Sequence, residues 1–169
     1  GSGSKKRRRR IVTVESITAR LPRVSVIEAE SLYETLEAAA QFEAADKVQR
    51  AYFAREKVGA DLDWHHAHNL DLLAATYQYL GQMKKAEPLL KQSFGLPSNL
   101  LVQIINKREW PAYLLARNRP TEALEAAKVL IAHPNPLVQA AGHVETGFAL
   151  LAVNRVADAG AASNAAFRA

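Results

Sequence analysis

The residues best suited to metal chemistry are three neighbouring histidines, His65, His66 and His68. His65 and His68 are three residues apart, so on a helix they would share one face and offer two imidazole nitrogens to one ion. A closed site needs further ligands, and only Asp61 and Asp63 are near in sequence. The alternative is that the histidines pack against or cap a helix. We favour this alternative and expect neither a metal nor another cofactor.

A row of carboxylates lies closer to the N-terminus. Glu30, Glu34 and Glu37 are spaced to follow one side of a helix. Acid–base catalysis or a basic ligand would use such a row, but it is more typical of a solvated helix face. The sequence has no cysteine, no glycine-rich phosphate loop, no GxSxG elbow and no HExxH pair. We therefore predict that the protein is not an enzyme.

The positive charge of the chain is concentrated in one short run. The run consists of Lys5, Lys6, Arg7, Arg8, Arg9 and Arg10. The formal net charge is +5, but without these six residues 16 Lys and Arg stand against 17 Asp and Glu, so the body is close to neutral. A run of like charges repels itself and stays extended. Three interpretations remain open: a solvated arm without a partner, the cytoplasmic flank of a membrane span, or weak non-specific contact with nucleic acid or an anionic membrane.

The clearest structural pattern extends from Asn69 to Ser93. Its apolar residues form two stripes with helical spacing on either side of Gly81. The stripes are Leu70, Leu73, Ala74 and Tyr77, then Met83, Ala86, Leu89 and Leu90. Gly81 tolerates the positive φ that commonly ends a helix. The pattern predicts two antiparallel helices joined by a tight turn, with Ala86 small enough to let them approach closely.

Equivalents of Ala86 recur along the chain. Ala45, Ala86, Ala123 and Ala159 are separated by 41, 37 and 36 residues, a period typical of stacked helical pairs. We predict four pairs in residues 25–169, after a basic tail and irregular leader in residues 1–24. Ser25 and Glu28 have capping-box spacing, and the first pair is expected at about 26–41 and 44–58.

The third and fourth pairs have identifiable boundaries. In the third, Ser98 is expected to cap a helix over about 99–117, and Pro111 to break that helix beside Trp110. In the fourth, Asn135 and Pro136 suit the start of a helix. Asn154 takes the place of Gly81.

The residues around the first turn resemble a known family. Leu73-Ala74, Tyr77, Gly81 and Ala86-Glu87-Pro88-Leu89 are similar to a tetratricopeptide repeat, closest to the bacterial variety related to kinesin light chains. The resemblance implies an all-α, right-handed solenoid of about four helical hairpins. It also implies a non-enzymatic scaffold or adaptor whose concave face binds a protein or peptide. The alternative is a regulatory or sensor domain of a larger transcription regulator or membrane-anchored assembly factor.

In this family the first helix of each pair lines the groove. The resemblance therefore predicts a ligand groove formed by His68, Asp71, Gln78, Tyr79, Arg108, Val144 and Phe148. The paired asparagines of kinesin light chains are replaced here by Asp71 and Leu72, so no particular ligand is predicted. Tyr79 and Phe148 are expected either to anchor a ligand or to form core between repeats.

Two further expectations concern the location of the protein and its oligomeric state. No apolar run approaches the ~20 residues of a membrane span, so a cytoplasmic location is expected. A solenoid normally closes with a polar capping element, yet the sequence ends at Ala169, two residues after Phe167. We expect the last face to be covered by further sequence or by a second copy, giving a homodimer through the C-terminal repeat.

Overall fold

A computed structural model describes residues 12–20, 26–98 and 100–169 of the chain. Every regular element in these ranges is helical, which confirms the predicted all-α class. The helices are α1 (Val14–Arg20), α2 (Val26–Glu56), α3 (Trp64–Tyr79), α4 (Met83–Gly95), α5 (Leu101–Asn106), α6 (Glu109–Ala116), α7 (Pro120–Ile131), α8 (Pro136–Ala152) and α9 (Val156–Arg168). None of these helices is long and apolar enough to cross a membrane. The basic run at residues 5–10 and the Ser25 cap lie outside the described residues.

Three helical hairpins, α3–α4, α6–α7 and α8–α9, turn in the same way. The residue after each first helix's C-cap has positive φ: 69° at Gly81, 57° at Asn118 and 59° at Asn154. At the first turn, the Gly81 amide donates to the carbonyl of Gln78 and the Gln82 amide to that of Tyr77. The same two hydrogen bonds recur at the other two turns. They satisfy carbonyl groups that the helix end leaves unpaired, and the predicted roles of Gly81 and Asn154 are confirmed.

Small residues let the paired helices approach. Ala86 and Ala123 are completely buried and Ala159 nearly so. The main core contains buried residues from α2, α3, α4, α6, α7 and α8, among them Leu73, Leu90 and Leu114. Most helices pack mainly on their neighbours in the chain, whereas α5 contacts α3 and α8, and α6 also contacts α4 and α8. Successive hairpins therefore lie against each other.

The predicted first hairpin is wrong. Residues 26–56 form the single continuous helix α2, with no turn near position 42. The residues expected to form the turn are Gln41, Phe42 and Glu43, none of which breaks a helix, and no glycine or proline lies nearby. The helix ends at Glu56, close to the predicted end at about residue 58, and is followed by Lys57 with a φ of 54°. The described residues therefore form three such hairpins instead of the predicted four.

The leader before α2 is also not irregular throughout. Val14–Arg20 is helical and packs on α2, with Ile17 buried. Thr13 and Ser16 cap its N-terminus, because each backbone amide donates to the other residue's hydroxyl oxygen, at 3.0 and 3.2 Å. Tertiary contact and this cap outweigh the strand preference of the β-branched residues Val14 and Ile17.

The break predicted near Trp110 is confirmed, but it begins earlier. The helix is interrupted at Lys107 and Arg108, and Pro111 lies in the first turn of α6, where its missing amide hydrogen costs little. Ser98 does not cap α5, the helix that follows it. Its hydroxyl donates to the Leu96 carbonyl at 3.3 Å, and the N-cap position is Leu100. The interruption places Lys107 where its ammonium donates to the carbonyls of Phe94 and Leu96, at 2.6 and 2.5 Å, at the end of α4.

Candidate functional site

The histidine group serves the start of α3. Asp63 is the N-cap, and its carboxylate accepts a hydrogen bond from the His65 amide at 3.0 Å. His66 is buried edge-on against Phe53, with ring centroids 5.1 Å apart, and burial lowers its pKa. These are contacts of helix capping and core packing. Within the described ranges, no three His, Asp or Glu side chains are grouped so as to hold a metal ion.

The glutamate row on α2 faces solvent. Glu30, Glu34 and Glu37 are all exposed. The Tyr33 hydroxyl donates to Glu37 at 2.5 Å along the same helix. The contacts of these three glutamates include no catalytic partner. Their exposure fits the interpretation of this row as a solvated helix face.

The groove residues predicted on α3 have different environments. Tyr79 is 84% exposed at the end of the helix, while Gln78 and His68 are partly buried. The His68 ring lies beside Trp64, with centroids 5.8 Å apart. The exposure of Tyr79 contradicts the alternative in which this residue is core.

Asp71 lies in a polar junction between hairpins. Burial raises its pKa to about 6, and Glu109 adds to this rise, while the Ser93 hydroxyl and the Lys107 ammonium oppose it. Arg108, predicted in the same groove, is exposed, with its Nε 3.5 Å from the Glu109 carboxylate. Asp71 and Arg108 therefore both interact with Glu109 at the start of α6.

Glu145 on α8 is a buried acid that the sequence did not single out. It is only 7% exposed, and burial raises its pKa; Glu109 contributes to the rise and Arg108 opposes it. Asp71, Glu109 and Glu145 thus interact across α3, α6 and α8 without forming a metal-binding group. The Glu145 side chain is buried rather than displayed on the outer surface of α8.

The last hairpin carries an apolar hollow. The hollow has a volume of about 380 Å³ and lies between α8 and α9. It is lined by His143, Val144, Gly147, Phe148, Leu151, Val156, Ala159, Gly160 and Ser163. No lining residue is acidic, Lys or Arg, and glycine, alanine and serine occupy four of the nine positions. Two predicted groove residues, Val144 and Phe148, therefore share a site suited to an apolar side chain.

Exposed or partly exposed positions with apolar or small side chains continue beyond the hollow along both helices. On α8 they recur at steps of four, three, four and three residues: Leu137, Ala141, Val144, Phe148 and Leu151, here called the α8 stripe. On α9 the steps are four, three and four: Val156, Gly160, Ser163 and Phe167, here called the α9 stripe. Phe148 is 56% exposed and Phe167 is 91% exposed. This is the spacing with which one helix surface packs against another.

The corresponding surface of the α3–α4 hairpin is covered by the next hairpin. The Tyr113 hydroxyl of α6 lies 3.2 Å from the Met83 carbonyl and 3.5 Å from the Glu87 carboxylate. Met83 and Glu87 stand 73 residues before Val156 and Gly160, at the same positions of their hairpin. Val156 and Gly160 are exposed instead. The hollow thus occupies the place where, earlier in the chain, another helix packs.

Sequence reasoning placed Val144 and Phe148 correctly on α8 but missed Leu151, Val156 and Phe167. The steps of four and three residues in VADAGAASNAAF were readable, but only two of the four α9 stripe positions carry large side chains. The structure does not place Tyr79 in the hollow. The predicted groove residues are thus divided among the two ends of α3, the polar junction and the α8–α9 hollow.

Comparison with models of known protein families, with curated proteins and with solved structures gave no significant match. The tetratricopeptide resemblance therefore rests on the residues and turns described above.

Proposed function

We propose that the protein is a non-enzymatic adaptor that binds an apolar helical segment of a protein partner on the α8–α9 hairpin. The observation that carries the proposal is the uncharged hollow flanked by the α8 and α9 stripes. We further propose that the hairpins stack as in a tetratricopeptide solenoid. In that arrangement Val144 and Phe148 belong to the first helix of the last repeat.

The exposed stripes are costly for a protein that binds nothing. Burying apolar surface is favourable by about 25 cal/mol for each Å² removed from water, and exposed stripes forgo this free energy. Monomeric proteins rarely expose contiguous apolar patches larger than a few hundred Å². Val144 and Phe148 remain 43% and 56% exposed, next to a hollow that can accept a further side chain.

The geometry suits a helix more than an extended strand or a small polar ligand. Apolar positions at alternating steps of three and four residues match the knobs of an opposing amphipathic helix. The lining offers few polar groups with which to orient a small polar molecule; they are mainly the His143 ring and the Ser163 hydroxyl. Burial of apolar side chains is therefore expected to provide most of the binding energy.

Support for the stacked arrangement comes from the three hairpins. Their turns repeat the same pair of hydrogen bonds at intervals of 37 and 36 residues. A closely packed alanine follows each turn by five residues, at Ala86, Ala123 and Ala159. Such recurrence is typical of repeats that extend a stack one hairpin at a time.

Selection of helical peptides tests the proposed function. A displayed library of amphipathic helices is selected on the immobilised chain. The affinity of each recovered peptide is then measured for the original chain and for the Phe148→Asp variant. A carboxylate inside the apolar contact should weaken binding at least about 30-fold, as expected for loss of a central aromatic anchor.

Tyr79→Asp is the matched control, since it places the same charge at an exposed aromatic outside the hollow. We expect this variant to bind the peptides as tightly as the original chain. Recovery of no helical peptide, or equal binding by the Phe148 variant, contradicts the proposal. Circular dichroism and thermal melting of both variants verify that they remain folded.

A further inference from the structure

We propose that the occupant of the α8–α9 surface is the same hairpin of a second copy of the chain, forming a four-helix bundle with two-fold symmetry. This inference rests on the proposed function of that surface and identifies its partner. Four observations on the hairpin favour a second copy: two parallel stripes, balanced charge, a projecting aromatic beside a hollow, and sufficient exposed area.

The two stripes match the requirement of a four-helix bundle. One docked helix would lie mainly between α8 and α9. A second hairpin instead contacts both stripes along their length, from Leu137 to Leu151 and from Val156 to Phe167. Two-helix layers with apolar positions at heptad spacing on both helices are the units from which such bundles are built.

The charges of the hairpin favour self-association over a strongly charged partner. From Pro136 to Ala169 the charged residues are Glu145, Arg155, Asp158 and Arg168, two of each sign. Glu145 is buried, and the Arg155 Nε is 2.7 Å from the Asp158 carboxylate. None of the four belongs to either stripe. Two identical stripes can therefore meet without like charges opposing each other, the arrangement that an interface of identical surfaces needs.

Phe167 is a projecting side chain, and the hollow is a recess that a side chain can enter. Phe167 is 91% exposed on the α9 stripe, while the hollow has the small residues Gly147, Gly160 and Ser163 in its lining. Two-fold symmetry with antiparallel α9 helices brings the C-terminal end of one α9 beside the N-terminal end of the other. Phe167 of each copy then faces the part of the partner's hollow that is lined by residues 151 and 156.

The exposed area is close to what a stable dimer uses. The large exposed side chains of the stripes are Leu137, Val144, Phe148, Leu151, Val156 and Phe167, exposed by between 43% and 91%. Taking roughly 150–250 Å² for a fully exposed aromatic side chain and less for Leu and Val, their exposed parts amount to at most about 700 Å² per copy. A standard protein–protein interface buries about 800 Å² per partner.

Sedimentation equilibrium across a dilution series tests the inference. The experiment uses the full chain at physiological ionic strength or above, because copies with a net charge of +5 repel each other in low salt. We expect the mass to rise from 18.5 kDa to twice that value as concentration increases. Phe167→Asp should raise the dissociation constant at least about 30-fold, whereas Tyr79→Asp should leave it unchanged.

Cross-linking locates the interface, since the chain has no cysteine of its own. Ser163→Cys places a thiol in the hollow, and we expect mild oxidation to give a covalent dimer. Ser31→Cys, at an exposed serine on α2, is the matched control and should give no covalent dimer under the same oxidation. A mass that stays monomeric up to millimolar concentration overturns the inference, as does a dimer that forms equally with Phe167→Asp.

Failure of this inference is distinguishable from failure of the proposed function. A strictly monomeric chain that still binds selected helical peptides through Phe148 overturns self-association alone. A monomeric chain that binds no such peptide overturns both. A dimer cross-linked through Ser31→Cys rather than Ser163→Cys places the contact on α2 and contradicts the α8–α9 assignment.

Discussion

Replacing Gly142 with alanine is expected to lower the free energy of unfolding by about 1–3 kcal/mol, the usual cost of overpacking. Gly142 lies in α8 against the end of α7. A Cβ added there would be 2.7 Å from the Ile131 backbone nitrogen and 2.8 Å from the Leu130 Cβ. Neither atom can be moved by rotating a side chain, so the two helices must separate.

Gly160→Ala is the matched control in the neighbouring helix. A Cβ at Gly160 meets nothing within 4 Å. Because alanine is favoured over glycine inside a helix by roughly 0.5–1 kcal/mol, this change should stabilise the chain. Urea denaturation at low protein concentration, where the chain is monomeric, should therefore give shifts of opposite sign. Two variants with the same shift would contradict the described packing of α7 on α8.

Replacing Asp71 with asparagine is expected to stabilise the protein at neutral pH by about 2–3 kcal/mol, the equivalent of a shift of about two pKa units. Burial raises the pKa of this carboxyl from 3.8 to about 6, so folding favours its protonated form. The stabilisation that the protonated acid provides is complete below pH 3.8 and is lost as pH rises through about 6. Asparagine keeps the side chain neutral throughout.

Denaturation midpoints across this pH range test the prediction. The difference between Asp71→Asn and the original chain should be small below pH 3.8 and grow until the pH passes about 6. Asp158→Asn, at an exposed carboxylate paired with Arg155, is the control and should have little effect on stability. A less stable Asp71→Asn variant at neutral pH would show that the ionised carboxylate stabilises the junction through Lys107 and Ser93.

The turns were the most predictable part of the fold. Gly81 and Asn154 tolerate a positive φ, and each follows a helix with a clear apolar stripe, so local chemistry alone located the hairpin ends. The first pair had no comparable residue at its supposed turn. There the repeat period alone predicted a break, and the helix-forming residues from Gln41 to Ala44 instead continue α2.

The candidate site was less predictable, because exposure depends on what covers a surface. Asp71 and Val144 occupy equivalent positions in their hairpins. Asp71 lies in the polar junction near Lys107, whereas Val144 lines an open apolar hollow. The sequence spacing placed both residues on the first helix of a hairpin. Whether another hairpin covers the residue depends on contacts that the spacing does not determine. Phe167 was expected on a last face covered by further sequence or by a second copy, and in the described chain its side chain is 91% exposed. To assign Phe167 to the α9 stripe from sequence, the orientation of every residue around α9 would have to be known.

Nuclear magnetic resonance titration of the isotope-labelled chain with a selected helical peptide tests the docking surface most directly. It is performed below the concentration at which the chain self-associates. We predict that the amide shift changes concentrate on α8 and α9, with the largest changes around Val144, Phe148 and Gly160. Changes concentrated on α2 and α3 instead, or none at saturating peptide, would contradict the assignment of the α8–α9 hairpin as the docking surface.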